Sequence, residues 1–467
     1  MTPLVPIALF GWPIFVLVLF ATMTPRRAVL VGVITGWLFL PMAGYQFADV
    51  PDYGKYAAVS LSVLVGSLAF DPKALTSLRP RLVDVPMIVF VLSPFITALV
   101  EGFGPLAGTS RVLTSLFTWG IPYAVGRAYF RDWGSLRELA IGVFVGGVAY
   151  LPFVWYEIRM SPQLHTMVYG FFQHNFSQHI RYGDYRPIVF MQHGLMVGLW
   201  MAAASLAGLW LWRTRSLTAL RGVPMGVLVP TLIVTTVLCK SGNAVVALVV
   251  GMGVFLAIRF LRNPLPLVLL ALVVPTYIAA RITGVWSGAD VVALIAEYDA
   301  ERAGSMGARM RQEDVYVAQA LKRPLLGWGG GGFIPKDDEG GRIVRGNDAF
   351  WIITLGLYGL VSLITVFVAL LIPVFVLSLR IPARYWMSPN TAPAVALVVV
   401  VALFAIDCLM NGMLNPVYVL ALGGVIGLGQ FGMASEARAC ARSGAPQPGP
   451  QRLDSLAGER AAIDAGR

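Results

Sequence analysis

The sequence predicts an all-α polytopic integral membrane protein with about thirteen transmembrane helices and one large, partly helical periplasmic loop. Three observations predict it. The composition, 57% hydrophobic with only 13% charged residues and a mean hydropathy of +0.73, lies far from that of soluble domains. Apolar stretches long enough to cross a bilayer recur along the chain. The connections between them alternate between basic and non-basic.

In order, the stretches are Pro3 to Thr22, Ala28 to Phe47, Lys55 to Phe70, Val85 to Gly102, Val112 to Phe130 and Leu139 to Glu157. They continue with Val189 to Trp212, Val223 to Cys239, Ala244 to Phe260, Leu265 to Ile282, Ala349 to Leu379, Ala394 to Met410 and Val417 to Met433. Each is roughly the 17 to 25 residues, or more, that a helix needs to cross about 30 Å of hydrocarbon. No A-x-A-like site follows Thr22, so the first stretch reads as a retained span, not a cleaved leader.

Cytoplasmic connections carry an excess of Lys and Arg, so every second connection should be basic if the spans are counted correctly. Arg26 and Arg27; Lys73, Arg79 and Arg81; Arg127, Arg131 and Arg137; Arg213, Arg215 and Arg221; Arg259 and Arg262; and Arg380 and Arg384 fall on one side. This places the N-terminus in the periplasm and the C-terminus in the cytoplasm of a bacterial inner-membrane protein. The domain reading is residues 1–282 with ten spans and a smaller outer loop at 158–188, a large periplasmic loop at 283–348, three further spans at 349–433, and a disordered tail at 434–467 rich in Ala, Gly, Pro, Arg and Glu. The net charge of +11 is mostly this topological signal, and no basic stripe on a water-soluble domain points to nucleic acid. Cys239, Cys408 and Cys440 are separated by the membrane, so no disulfide is expected, and no internal repeat marks the pseudo-symmetric halves of a secondary transporter.

A connection needs only a few residues, so the long polar segment Thr283 to Asp348 is a candidate functional ectodomain. Within it, Ala308 to Pro324 reads as an amphipathic helix with Val315, Ala318 and Leu321 on its apolar face. Arg309 in its first turn would join the free N–H groups there as an anion site. The run Gly327-Trp-Gly-Gly-Gly-Gly332 lacks the Gly-Lys-Ser/Thr ending of a phosphate loop and reads as a tight backbone passage. The smaller loop holds His165, His174 and His179, with His193 just beyond, at spacings unlike a helical ligand pair. No metal is expected there, and interfacial placement beside Tyr169, Phe171 and Phe172 is the preferred reading.

The string Arg309-x14-Pro324-Leu-Leu-Gly327-x-Gly329-x3-Phe333, then Asn347-Asp348-Ala-Phe and Gly356-Leu-Tyr-Gly359-Leu, resembles the core signature of the O-antigen ligase and O-antigen polymerase family. Arg186-Pro-Ile-Val-Phe and the turn Lys240-Ser-Gly-Asn-Ala244 sit where that family has an arginine-bearing loop and a Ser-Arg-Gly-Ala-like turn. The likeness spans roughly Arg181 to Leu360. Two departures stand out: Gly242 occupies the place of the arginine after the serine, and Arg345-Gly-Asn-Asp348 stands where the ligase branch resembles His-Asn. Both weaken a lipopolysaccharide ligase assignment and leave room for a polysaccharide polymerase.

The resemblance implies a metal-independent glycosyltransferase without cofactors. Its partners would be an undecaprenyl-diphosphate-linked glycan donor, a glycan acceptor, membrane lipids and other polysaccharide-assembly proteins. Breaking the anomeric bond builds negative charge on the diphosphate, and guanidinium groups suit it because they bind phosphate oxygens bidentately and stay charged. Arg309 and Arg186 are the leading cations, with Lys240 third and Arg181 in reserve. Asp348 at the loop–membrane junction is the candidate base, with a helix N-cap as its other reading; His193 is the alternative base, and Asn347 would orient the sugar. Three other readings stay open: an O-antigen ligase acting on a lipid or protein acceptor, a lipid-linked oligosaccharide flippase using Asp407 within a span, and a non-catalytic assembly component.

Overall fold

A computed structural model describes residues 1–47, 50–181, 183–335 and 348–428. Asn347, Cys440 and the tail from Ala434 lie outside the described residues. The described residues are all-α apart from three short two-stranded hairpins. Among the described residues, seven helices are long and apolar enough to cross a membrane: Leu4–Thr22, Leu82–Val100, Trp133–Met160, Gly194–Arg213, Gly242–Leu261, Leu265–Thr283 and Phe350–Arg380. Lys55–Phe70, Met225–Leu238, Ala392–Asp407 and Pro416–Gly427 are shorter apolar helices.

Among the expected spans, two depart most from the sequence expectation. Pro25–Phe39 stops eight residues early, because Leu40 precedes Pro41 and takes an extended conformation; the remainder pairs as a hairpin, Gly44–Phe47 against Val50–Gly54. The stretch expected from Val112 begins instead at Gly104 and passes through a π-helical turn, Leu116–Gly120, into Ile121–Tyr129. Pro122 cannot donate to the ladder, and the wider turn just before it accommodates that loss.

The core is built around Gly194–Arg213, Ala392–Asp407 and Pro416–Gly427, which are apolar all round and almost wholly buried. The outer helices Leu4–Thr22 and Leu265–Thr283 instead expose Ile7, Phe10, Ile14, Leu269, Leu272 and Val273. Exposed apolar faces of this kind are a liability in water and the expected surface in a bilayer.

Contacts sort the connections into two ends. Arg26 pairs with Glu138 at 2.9 Å, Arg137 donates to the Ser216 carbonyl at 2.6 Å, and Ser216 donates to the Pro389 carbonyl at 2.7 Å. At the other end of Gly194–Arg213, a distance of roughly 30 Å for twenty helical residues, Arg186 donates to the Lys240 carbonyl and Asn243 reaches Asp407.

Two helices of the large segment, Ala289–Ala296 and Ala300–Ala320, lie over this second end. The longer one is docked by a buried cluster: the Arg281 guanidinium meets Glu313 at 3.0 Å and Asp314 at 2.8 Å and donates to the Met310 carbonyl, while the Tyr277 hydroxyl donates to Glu313 at 2.8 Å. The glycine-rich passage then clamps onto Phe350–Arg380. Trp328 N–H donates to the Gly356 carbonyl at 2.8 Å, Gly329 N–H to the Leu357 carbonyl at 2.9 Å, and Leu360 N–H to the Pro324 carbonyl at 2.7 Å. The clamp needs a break in that helix at Gly359, whose φ of +74° only glycine adopts readily.

Candidate functional site

Where the two overlying helices meet the helix ends, a cavity of about 830 Å³ opens. Arg181, Arg186, His193, Lys240, Arg309 and Asp348 all line it, although they come from widely separated parts of the chain. Of the sequence candidates, Asn347 alone falls outside the described residues.

Glu157 fixes the smaller loop. Its buried carboxylate accepts Leu164 N–H at 2.9 Å near the start of the loop and Ile188 and Val189 N–H at 2.8 and 2.7 Å at its end. The loop is thereby closed on itself, and Arg186 is held one turn from the helix that begins at Gly194. The Arg186 side chain lies flat over Gly194, where a Cβ would collide with its methylenes. Its guanidinium is buried, donates to the Lys240 carbonyl at 2.8 Å, and leaves Nε without a partner. Burial, followed by the neighbouring charges of Arg181, Arg309 and Arg302, pushes this guanidinium down to about 10. It remains charged at neutral pH, in surroundings that favour an added anion.

Lys240 stands on the turn at φ +51° and is paired with Asp184. Arg181 reaches Glu301 at 3.4 Å. Asp348 is exposed, and its side chain makes no hydrogen bond among the described residues; the N-cap of Phe350–Arg380 is Ala349, so Asp348 is not a cap. His193 is the N-cap of Gly194–Arg213: its Nδ1 accepts Leu195 N–H at 3.0 Å, which occupies one of the two nitrogens a base would use.

Arg309 lines the cavity for a reason other than the one the sequence suggested. The helix begins at Ala300, not near Ala308, with Asp299 as N-cap accepting Arg302 N–H at 3.0 Å; Arg309 therefore sits mid-helix, and the free N–H groups of a helix start do not assist it. The apolar face is also different. Val315, Ala318 and Leu321 point outward, while Met310, Glu313, Tyr316, Val317 and Ala320 are buried. The charged Glu313 on the buried side disguised the periodicity.

Sequence reasoning missed Arg302. Its Nη1 lies 3.4 Å from where a Cβ on Gly242 would stand, so a guanidinium from the overlying helix fills the space in front of the residue that follows Ser241. The absence of a side chain at Gly242 was the available signal. Sequence reasoning also missed the gathering of His174, His179 and His193, whose ligating atoms all lie within 4.8 Å of one another. Among the charged lining residues, Arg181, Arg186, Lys240, Arg302 and Arg309 face only Glu301 and Asp348. Such a cavity is suited to a polyanion, and planar guanidiniums add the bidentate geometry that phosphate oxygens accept.

No protein-family model matches the chain, and no curated protein matches it.

Proposed function

We propose that this chain is a glycosyltransferase of the O-antigen polymerase type, joining undecaprenyl-diphosphate-linked oligosaccharide units at the periplasmic face of a bacterial inner membrane. The observation that carries the reading is the cationic cavity at the junction of apolar helices and overlying loop, lined by Arg181, Arg186, Lys240, Arg302 and Arg309. A polyprenyl chain needs apolar helix surface, and its diphosphate needs fixed cations beside that surface; this junction offers both. In the reaction the acceptor hydroxyl attacks the anomeric carbon of the donor glycan, the bond from that carbon to the diphosphate oxygen breaks, and the diphosphate leaves. Arg309 and Arg186 balance the developing charge, and Asp348 takes the hydroxyl proton.

Asp407 lends the flippase reading little support. Its Oδ1 accepts Asn411 Nδ2 at 2.8 Å and Asn243 Nδ2 at 3.4 Å, at the helix end nearest the cavity, as a satisfied structural carboxylate does. The deciding experiment supplies purified protein with lipid-linked repeat units and no nucleotide sugar. Longer lipid-linked chains are the expected product. Movement of labelled lipid between leaflets without new linkages, or inert substrate, would remove the transferase reading.

A further inference from the structure

We infer that His174, His179 and His193 form a binding site for one divalent transition metal of the zinc class, set in the wall of the cationic cavity with its remaining coordination position open to the cavity. His179 is fully buried, and neither of its ring nitrogens has a hydrogen-bond partner; His174 Nδ1 is also buried without one. A buried imidazole normally satisfies at least one nitrogen, so these orphaned atoms call for a partner. The three rings stand together, with centroids 4.7 Å apart for His174 and His193, 5.1 Å for His179 and His193, and 5.5 Å for His174 and His179. Their ligating atoms, already within 4.8 Å of one another, need to close by at most about 1.5 Å to reach the separation that bonds of about 2.0–2.1 Å impose in a tetrahedron.

Three neutral imidazoles leave one tetrahedral position, and His174 and His193 both line the cavity, so that position faces it. Ligation by His193 through Nε2, which now stands 3.4 Å from Gln178 Oε1, places the ring proton on Nδ1 and exchanges the cap bond at Leu195 for a metal bond. The nearby guanidiniums of Arg181 and Arg186 disfavour a bare second cation. The metal therefore binds best together with an anionic oxygen in its open position, and by linkage each tightens the other. This departs from the metal-free expectation drawn from the sequence, and it does not depend on the transferase reading.

The test uses the full chain, purified in detergent without a histidine tag, stripped with a chelator and titrated with Co²⁺. The expected result is one Co²⁺ per chain with the intense visible bands of a four-coordinate ion, bands that shift when inorganic pyrophosphate is added. His174 is only partly buried, so His174→Ala should fold normally, checked by its elution as a monodisperse peak, and should lose the bands. Absence of the bands in the wild type, or their survival in His174→Ala, overturns the metal site. Bands that pyrophosphate leaves unchanged overturn the open position toward the cavity.

Discussion

Arg309 has neither an ion pair nor a hydrogen bond among the described residues, although it lines the cavity, whereas Arg181 leans on Glu301 and Lys240 on Asp184. A guanidinium with its donors uncommitted is the group best placed to grip a diphosphate in two places. Arg309→Lys keeps the charge but loses the fork, so chain growth should fall by about 10²-fold or more, the scale of removing one preorganised donor to developing charge. The neighbouring Arg311 is exposed on the far side of the same helix, and Arg311→Lys should leave polymer length and yield near wild type. Equal tolerance at both positions, at matched protein levels, would take Arg309 out of the site. Arg302 allows a sharper test because it stands in front of Gly242. Arg302→Ala should lower activity about 10- to 100-fold, the worth of a hydrogen bond to a charged group. Adding Gly242→Arg should restore a measurable part of it by returning a guanidinium to the same space from the other wall. A double variant no better than the single one would show that Arg302 acts elsewhere.

The overlying helix Ala300–Ala320 carries both of these arginines, so its docking sets the geometry of the cavity. Its start was legible in Asp299-Ala-Glu-Arg302, a capping residue followed by an acid in the first turn, but the spacing of Val315, Ala318 and Leu321 further on drew the boundary toward Ala308. Its buried face was not legible, because that face includes Glu313, and a carboxylate goes inside only when a partner distant in sequence, here Arg281, meets it. The glycine-rich passage was legible as a tight turn. Its partner, the break at Gly359, was visible only as part of a family-like string, and the two exchange backbone hydrogen bonds as one clamp. Removing one member of the buried pair leaves the other charge stranded. Arg281→Met or Glu313→Leu alone should therefore destabilise the docked helix by about 3–5 kcal/mol, whereas the double substitution should recover most of the loss. Protease resistance of the segment around Tyr298, 85% exposed, reads this directly. Single variants as resistant as wild type would show that the docking rests on other contacts.

Across the whole molecule, each of the thirteen apolar stretches contains a helix, because hydropathy over some twenty residues is a property of the sequence itself. The histidine cluster was not legible. His174, His179 and His193 meet only because Glu157 staples the two ends of their loop, and that closure depends on backbone N–H groups that no residue pattern announces. Sidedness lies between these cases, since the alternation of basic connections predicts it and the contacts group the connections into two ends, one holding Arg26, Arg137 and Ser216 and the other holding the cavity. Cys239 and Cys408 are buried and give little background to thiol reagents, so a Cys440→Ser chain is a suitable host for single cysteines. Ser287→Cys and Tyr298→Cys, both on exposed positions of the overlying segment, should react with an impermeant thiol reagent in intact spheroplasts. Leu82→Cys, at a position 89% exposed but at the basic end, should react only after permeabilisation. Labelling of Leu82→Cys in intact cells, or silence at both loop positions, would reverse the orientation and turn the cavity toward the compartment that holds nucleotide sugars, where a lipid-linked donor is no longer required.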